Sequence, residues 1–410
     1  MNLLDDGSAV HRPVRTRVTH IDSLRGLALL GIIVMNIGSM VMMFNGRQVF
    51  GAATGVDMGI AAVDLLFVLG KARSCFAFLF GAGFAILLTR AEAKGADFRS
   101  FYMRRLGALL LFGLVNQIFL FWGDILVTYA LLGFLLMLCA SWRNATLLKV
   151  GLALTVAPPL VDGLAQAVLG HPIPSLFTPT AADRAAHGLT AYTSASYLDA
   201  IRANIWIGAT RHASATAHMI VYDLSVFGLF LLGSWSVRTG ALTDPARHRQ
   251  LLRRIAWWGI PSGLILSAVN MMPFLGFQAK GLAAAGATAA FAGVPILAFG
   301  YLAALTLLFS RGARQLQAVL APAGRMALTN YLLSGAFGGW VFYGYGLGRI
   351  SAFGITGITV FALLLFLALA LLSRLWLSVF PYGPVEWLWR RLSYGTAANR
   401  PADLAQSMAG

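Results

Sequence analysis

The feature that most constrains this chain is a series of long apolar runs separated by short polar segments. Runs of roughly 17–25 apolar residues are long enough to cross a bilayer as helices. Because lipid cannot satisfy backbone N–H and C=O groups, such runs are predicted to be α-helical. We predict an all-α fold, a polytopic membrane helix bundle of about 10 transmembrane helices. The predicted spans lie at about 24–44, 71–89, 106–122, 125–142, 150–169, 216–237, 255–275, 283–309, 327–343 and 355–379.

The composition excludes the other broad classes of protein. Only 11% of the 410 residues are charged and the mean hydropathy is +0.74, whereas soluble chains carry roughly 25% charged residues. A soluble globular domain, a disordered chain and a disulfide-rich secreted scaffold are therefore excluded. Cys75 and Cys139 both lie in apolar runs, and no metal-ligand spacing is present, so no metal site is expected.

The distribution of basic residues predicts the orientation. With ten spans and a cytoplasmic N-terminus, most of the 31 Lys and Arg residues fall on the cytoplasmic side, as the positive-inside rule requires. The cations left on the outer side are Arg47, Lys71, Arg73, Arg184, Arg202, Arg211, Lys280 and Arg349. We predict that both termini are cytoplasmic. This topology and contact with anionic lipid account for most of the net charge of +16, so nucleic acid is not an expected partner.

One further apolar run, Met58–Leu69, is too short to cross a bilayer. Counting it as a span would reverse every later segment and place most cations outside. It is better interpreted as an outer interfacial or re-entrant helix that breaks at Gly70.

The predicted organisation has two halves of five spans joined by an outer loop. We expect this loop to cap the bundle and to contain an interfacial amphipathic helix around Ile201–Ile207. The predicted segments are a cytoplasmic N-terminal segment (1–23), the first half (24–169), the outer loop (170–215), the second half (216–380) and a cytoplasmic tail (381–410).

Charged side chains inside spans are costly and tend to face a partner or a cavity. Asp22 and Arg25 begin the first span three residues apart, and therefore share a helix face. Asp124 lies in the turn between the third and fourth spans, either as a turn and cap residue or as an outer-facing general base. His218, near the outer end of the sixth span, is the histidine best placed for proton transfer, although a lone histidine at a membrane interface usually has only an amphipathic, interfacial role.

Two other groups of charged residues have structural interpretations. Glu386 is expected to pair with Arg390, four residues later on a helix. Asp64, Lys71 and Arg73 cluster before the second span and are expected either to anchor it at the interface or to form a polar site.

Several strings together closely resemble the YeiB-like family of bacterial inner-membrane proteins. The strings are Ile21–Gly26 (IDSLRG), Phe76–Gly83 (FAFLFGAG), Gly123–Ala130 (GDILVTYA), Gly324–Tyr331 (GRMALTNY), Tyr343–Gly348 (YGYGLG) and Gly383–Arg390 (GPVEWLWR). That family is distantly similar to the transmembrane acyltransferase superfamily, which includes the heparan-alpha-glucosaminide acetyltransferases and the O-antigen-type acyltransferases. The resemblance implies a multi-pass protein of the bacterial inner membrane. It also implies transfer of an acyl group from cytoplasmic acetyl-CoA or another acyl-CoA to a hydroxyl or amine acceptor on the far side.

Two asparagines depart from the related patterns. Asn36 follows Arg25 after ten residues, where O-antigen-type enzymes carry His, and Asn116 stands where the YeiB-like pattern often has His. Because Asn cannot act as a base, the predicted base is Asp124 or His218, and Asn36 is expected to polarise the thioester carbonyl. The other interpretation is that the protein does not catalyse acyl transfer.

The predicted ligand-binding residues combine cytoplasmic cations with polar groups of the last spans. Arginine forks suit the phosphates of an acyl-CoA, and amide and phenol groups could polarise its thioester. The residues predicted to bind substrate or cofactor are Asp22, Arg25, Arg104, Arg105, Arg254, Arg325, Asn330, Tyr331 and Tyr345.

Two alternatives from other classes stay open at this point. Ten spans with glycine-broken helices and a few buried polar groups are also typical of a small-molecule or lipid transporter, and a non-catalytic lipid-binding membrane protein would look similar. The expected partners are membrane lipids, a glycan or lipid acceptor and, as an open expectation, a second copy of the chain in a homodimer.

Overall fold

The computed structural model describes residues 19–169, 181–213, 217–271 and 282–394, and these residues are helical with no β-strand among them. The helices are α1 (Thr19–Gly51), α2 (Gly55–Val63), α3 (Lys71–Glu92), α4 (Phe98–Val115), α5 (Leu126–Leu138), α6 (Asn144–Leu169), α7 (Ala181–Thr193), α8 (Tyr197–Ala213), α9 (Ala217–Arg238), α10 (Arg249–Met271), α11 (Leu282–Ala289), α12 (Gly293–Ser310), α13 (Arg314–Arg325), α14 (Ala327–Phe342), α15 (Ile355–Val379) and α16 (Pro384–Tyr394).

Six helical stretches of the described chain are long and apolar enough to cross a membrane. They are Thr19–Gly46, Gly55–Glu92, Phe98–Leu120, Asn144–Leu169, Ala290–Ser310 and Ile355–Val379. The prediction of an all-helical membrane protein is thus confirmed. The four other predicted spans coincide with α5, α9, α10 and α14, of which α5 has 13 residues and α14 has 16, so their crossing stays a prediction. Residues 1–18 of the predicted N-terminal segment and residues 395–410 of the predicted C-terminal tail lie outside the described residues.

The long helix α1 lies in the middle of the bundle and contacts α3, α12, α13, α14 and α15. Its approach to α13 depends on two glycines, Gly26 on α1 and Gly324 on α13. A Cβ atom on Gly26 would collide with the carbonyl oxygen of Leu320, and one on Gly324 would collide with that of Asp22. Small residues at such contacts let helix backbones approach closely, which explains a glycine in both the IDSLRG and GRMALTNY strings.

Another part of the bundle is built around α3 and α9. Here α9 packs between α3 and α6, and α12 packs between α3 and α10. The α3–α9 contact again uses paired glycines, because a Cβ on Gly81 would collide with Phe230 and a Cβ on Gly233 would collide with Phe78. Pro158 and Pro159 lie inside α6 and Pro261 lies inside α10.

The run Met58–Leu69 forms α2 and a following π-helical turn, Asp64–Val68, and the chain then turns at Gly70. Gly70 has a φ of 80°, which favours glycine, so the predicted break at this residue is confirmed. The short helix is held against α15, because Asp57 accepts hydrogen bonds from the backbone N–H and the hydroxyl of Thr356 at 2.8 and 2.7 Å.

The described part of the outer loop, 181–213, forms the helices α7 and α8, which pack on each other and on the bundle. The expected amphipathic helix around Ile201–Ile207 is part of α8. Its residues Ala203, Asn204 and Ile207 are buried against protein, so this face serves packing in the protein.

Replacing Gly26 by Ala should destabilise the protein, because the added methyl group must displace the α13 backbone. Overpacking of this kind costs about 1–3 kcal/mol. Gly38 is the matched control on the same helix, since a Cβ there meets nothing within 4 Å and Ala favours a helix by about 1 kcal/mol over Gly. Thermal unfolding of the purified protein should give a lower Tm for Gly26→Ala and an unchanged or higher Tm for Gly38→Ala. Equal Tm values for the two variants would contradict the close α1–α13 contact.

Candidate functional site

A buried carboxylate, Asp124, lies in the turn between α4 and α5 and joins three helices. Its Oδ1 accepts hydrogen bonds from Asn116 Nδ2 at 2.7 Å and from the Tyr331 hydroxyl at 3.3 Å. Its Oδ2 accepts from the backbone N–H of Val127 at 2.8 Å, which caps the N-terminus of α5. The backbone N–H of Ile125 donates to the Tyr331 hydroxyl at 3.2 Å. The end of α4, the start of α5 and α14 therefore meet at one carboxylate.

The local backbone explains how Asn116 reaches Asp124. After Val115 the α-helix widens into the π-helical turn Asn116–Leu120, and Phe121 is extended with a φ of −151°. This wide turn reverses the chain within a few residues. Such π-helical turns occur often at functional sites.

The carboxylate of Asp124 is only 4% exposed, and its partners in the structure are neutral donors. Burial is the largest influence and raises the pKa of Asp124 to about 6, while the hydrogen bonds from Val127, Asn116 and Tyr331 act in the opposite direction. A carboxyl group with a pKa near neutrality can exchange a proton with a ligand at physiological pH.

The second amide atom of Asn116, its Oδ1, is buried and has no hydrogen-bond partner among the described residues. The amide orientation follows from the network, because Nδ2 must face the Asp124 oxygen that it donates to. An unpaired buried acceptor costs about 1–3 kcal/mol. Beside a titratable carboxyl group, it indicates a place where a ligand hydroxyl or amine could donate.

The α7–α8 hairpin covers this site. Asn204 Nδ2 donates to the Ile118 carbonyl at 3.1 Å, and the Tyr197 hydroxyl donates to the Phe119 carbonyl at 2.7 Å. The Tyr192 hydroxyl in turn donates to Asn204 Oδ1 at 2.6 Å. The expectation that Asp124 lies open at the outer mouth is therefore wrong, because the outer loop folds over the turn that carries it.

Aromatic rings continue the cover next to the hairpin. Tyr192 stacks on Tyr343 with ring centroids 4.1 Å apart, and Phe44 contacts both Tyr192 and Trp122. Tyr345 packs edge-on against Tyr197 at 4.9 Å. Tyr345, which was predicted to bind the ligand together with the arginines, therefore belongs to the aromatic cover next to the α7–α8 hairpin.

A cluster of arginines forms at the opposite end of α1 and α4, where α16 packs against α4. The Arg105 guanidinium lies 3.5 Å above the Trp389 ring, and Trp389 Nε1 donates to the Arg105 carbonyl at 2.8 Å. Arg390 lies 4.2 Å above the Tyr382 ring. Arg25 and Arg390 are both close enough to repel the charge of Arg105. We call Arg25, Arg105 and Arg390 the arginine cluster.

Carboxylates neutralise little of this cluster. Within the described residues the ion pairs are Arg25–Asp22 at 3.3 Å and, on the outer hairpin, Arg202–Asp199 at 3.4 Å. Arg105 and Arg390 instead stack on aromatic rings, an interaction worth about 0.5–2 kcal/mol each that leaves the positive charge available to an anion.

Glu386, the nearby carboxylate, does not pair with Arg390 as expected. Its oxygens accept from the backbone N–H groups of Leu328 and Thr329 at 2.8 and 3.0 Å and from the Thr329 hydroxyl at 2.6 Å. Glu386 therefore caps the N-terminus of α14, where the helix dipole favours a negative group. Burial raises the pKa of Glu386, and these hydrogen bonds oppose that change.

The remaining predicted binding residues are only partly brought together. Arg104 Nε donates to the Ser393 carbonyl at 3.0 Å, and Arg325 Nη2 donates to the Pro381 carbonyl at 3.1 Å, so both border the arginine cluster on the α16 side. Asn330 instead joins helices, with Nδ2 donating to Ser373 Oγ at 2.8 Å and to the Ala323 carbonyl at 3.3 Å. Arg254 is exposed on α10, which packs on α12 away from the cluster.

Of the other predicted catalytic residues, Asn36 does not join the carboxylate network, and the side chain of His218 is not described. In the described part of the chain, the Asn36 side chain makes no hydrogen bond to Asp124 or Tyr331. His218 lies in the first turn of α9, and its side chain is outside the described set. No group of three or more His, Cys, Asp or Glu side chains that could hold a metal ion occurs among the described residues.

Trp389 and Arg390 were not predicted as site residues. The sequence contains one signal for them, since both belong to the GPVEWLWR string. Their approach to Arg105 depends on how α16 packs against α4, which no local pattern specifies.

Replacing Glu386 by Ala should lower the free energy of unfolding by about 1–2 kcal/mol, because α14 loses its N-terminal cap. The exposed Glu92 is the control, and Glu92→Ala should leave stability unchanged. Thermal unfolding of the two purified variants checks this. A Glu386→Ala protein as stable as Glu92→Ala would show that the cap contributes nothing.

Comparison with known proteins places the chain among related bacterial proteins. Residues 236–396 match a family described as "Protein of unknown function (DUF418)". The chain is 30% identical over 394 residues to the uncharacterised protein YxaH of Bacillus subtilis (strain 168), covering 92% of this chain and 94% of that protein. It is 29% identical over 400 residues to the uncharacterised protein YeiB of Escherichia coli (strain K12), covering 92% and 96%. The chain therefore belongs to the YeiB-like family of bacterial membrane proteins, as the strings along its helices predicted.

Proposed function

We propose that this protein is a transmembrane acyltransferase of the bacterial inner membrane. It would take an acyl group from a cytoplasmic acyl-CoA and transfer it to a hydroxyl or amine of an acceptor that enters from the other side of the membrane. The proposed topology has ten spans with both termini in the cytoplasm. The observation that carries the proposal is that one helical segment connects the arginine cluster to the buried carboxylate: Arg105 lies within α4, and Asn116, directly after α4, donates a hydrogen bond to Asp124.

The arginine cluster supports recognition of a polyphosphate. Arg25 and Arg390 both lie close enough to repel Arg105, and an anion bound beside Arg105 would offset that repulsion. Arginine binds phosphate through two parallel hydrogen bonds, and the flanking Trp389 and Tyr382 rings provide flat surfaces for an adenine base. Asp22 would then orient Arg25 through their ion pair.

The spacing within α4 supports the position of the thioester. Arg105 and Asn116 are eleven residues apart, which corresponds to about 16 Å along a helix. An extended pantetheine arm spans such a distance. A CoA bound by the arginine cluster could therefore bring its thioester towards Asn116, Asp124 and Tyr331.

The carboxylate network supports the chemical step. An acceptor amine would donate one N–H to the Oδ1 of Asn116 and give a second proton to Asp124, whereas an acceptor hydroxyl would give its single proton directly to Asp124. A new C–O or C–N bond forms at the acyl carbon while the C–S bond breaks, and the CoA thiolate leaves and takes up a proton. The Tyr331 hydroxyl would stabilise the negative oxygen of the intermediate. Because the α7–α8 hairpin covers the site, the acceptor would enter only when this hairpin opens.

Arg105→Gln should weaken binding of desulfo-CoA to the purified protein by about tenfold or more, because one charge-assisted contact of a desolvated site is lost. Arg202→Gln is the control, since Arg202 is exposed on the outer hairpin. Isothermal titration measures both dissociation constants. Absence of saturable binding to the native protein, or equal affinity in the two variants, would refute acyl-CoA recognition at this cluster.

Asp124→Asn should abolish incorporation of label from radioactive acetyl-CoA into the lipid and glycan fractions of inverted membrane vesicles, while desulfo-CoA binding stays intact. In the native protein, activity should fall about tenfold per unit below pH 6, because the base must be deprotonated and its pKa is about 6. Asp199→Asn, on the exposed face of α8, is the matched control. Full activity in Asp124→Asn would exclude this carboxylate as the base.

A further inference from the structure

A second cationic site lies near the start of α3, away from the arginine cluster. The Arg73 guanidinium lies 3.8 Å above the ring of Tyr222 on α9. No carboxylate of the described chain forms an ion pair with it, since the two ion pairs found there involve Arg25 and Arg202. An arginine held within a helix bundle by an aromatic face keeps its charge and its hydrogen-bond donors available to a ligand.

The location of Arg73 strengthens this interpretation. Arg73 belongs to the first turn of α3, while Arg90 marks the last turn, so it lies at the non-cytoplasmic end of the helix in the proposed topology. Lys71, in the same turn, is 2% exposed and donates from Nζ to the Leu65 carbonyl at 2.8 Å. The positive-inside rule disfavours cations at this end, and charge inside a membrane bundle is costly. Two retained cations at the positive end of a 22-residue helix therefore indicate an anion-binding role.

A small cavity adjoins the Arg73 side chain, where α3, α6, α9 and α12 meet. Its walls include Arg73, Ser74, Thr155, Tyr222, Ser225 and Pro295. Its volume is about 20 Å³, which holds one water-sized group. The cavity therefore accommodates a terminal oxygen of a ligand, with the rest of the ligand outside it. Because much of the wall is apolar, an anion there would interact strongly with the guanidinium.

The cavity is connected to the carboxylate site through α5. The Tyr129 hydroxyl donates to the Arg73 carbonyl at 3.2 Å, and Tyr129 follows Asp124 by five residues, about 8 Å along a helix. The backbone of Arg73 is thus tied to the helix whose N-terminus Asp124 caps.

We propose that Arg73 and Tyr222 bind the terminal oxyanion, a phosphate or carboxylate group, of the ligand that enters from the outer side. Its identification as the acyl acceptor rests on the proposed function. The anion site itself stands on the guanidinium, the ring and the cavity.

The test uses the purified full chain, with thermal unfolding followed at constant ionic strength. All variants carry Arg105→Gln, so that the arginine cluster contributes less to anion binding. Inorganic phosphate is the soluble probe in neutral detergent. Nanodiscs of phosphatidylcholine with or without phosphatidic acid test a lipid headgroup as the source. Arg73→Gln should reduce the apparent affinity for the effective probe by about tenfold or more, whereas Arg202→Gln should leave it unchanged.

Ser225→Val is the second variant, because it fills the cavity and leaves the charge of Arg73 in place. The Ser225→Val variant should also lose the stabilisation by the effective probe. If the Arg73→Gln variant does not fold, Ser225→Val alone tests whether the anion binds at this cavity. Stabilisation by phosphate alone identifies a soluble ligand, and stabilisation by phosphatidic acid alone identifies a lipid. No stabilisation by either probe, or equal stabilisation of every folded variant, would overturn the proposal.

Desulfo-CoA binding without the Arg105→Gln change separates the two proposals. The native protein could fail to bind desulfo-CoA while its stabilisation by the anionic probe still depends on Arg73. That result would refute the proposed acyl transfer and support the anion site. If the Arg73→Gln variant binds desulfo-CoA normally and loses only the stabilisation by the anionic probe, acyl-CoA recognition and the anion site are both supported.

Discussion

The apolar surroundings of this chain require that each buried polar group find a partner inside the protein. Three carboxylates show the effect of this requirement. Asp57, Asp124 and Glu386 each accept a backbone N–H at the start of a helix, namely α15, α5 and α14. The first N–H groups of a helix have no partner within it, and the helix dipole makes that end positive. A carboxylate placed there accepts a hydrogen bond from the unpaired N–H groups and also neutralises the positive end of the helix dipole. These three carboxylates therefore stabilise helix starts and do not neutralise arginines.

The arginines consequently depend on other partners. Arg105 and Arg390 stack on Trp389 and Tyr382, and Arg73 stacks on Tyr222. An aromatic face holds a guanidinium in position without cancelling its charge. Because the carboxylates cap helices and the arginines stack on aromatic rings, positive charge is left at two separate places. One lies beside the α4–α16 contact and the other beside the start of α3. This arrangement is what supports two anionic ligands approaching one buried carboxyl group from different sides.

Several features were predictable because they depend on local chemistry. The apolar runs had to be helices, since lipid leaves their backbone no other partner. The helix of Met58–Leu69 had to end near Gly70, where a φ of 80° favours glycine. The spacing of three residues predicted that Asp22 and Arg25 share one helix face, and in the structure they form an ion pair. The outer loop was expected to cap the bundle, and its described helices do pack there. Glu386, in contrast, was assigned to Arg390 by helical spacing alone, because the competing partner, the start of α14, is 57 residues away in the chain.

By itself, the sequence determined the helical membrane class, the family and the residue types available for chemistry, since these follow from hydropathy, charge and short motifs. Only the tertiary structure decided which of those residues meet. It brought Asn116 and Tyr331 to Asp124, covered that carboxylate with the α7–α8 hairpin, and placed Trp389 against Arg105 while leaving Arg254 apart. The physical reason is that an apolar helix can turn many faces towards its neighbours at similar cost. Close contacts such as Gly26 against Leu320 select one arrangement, and they depend on residues far apart in the chain.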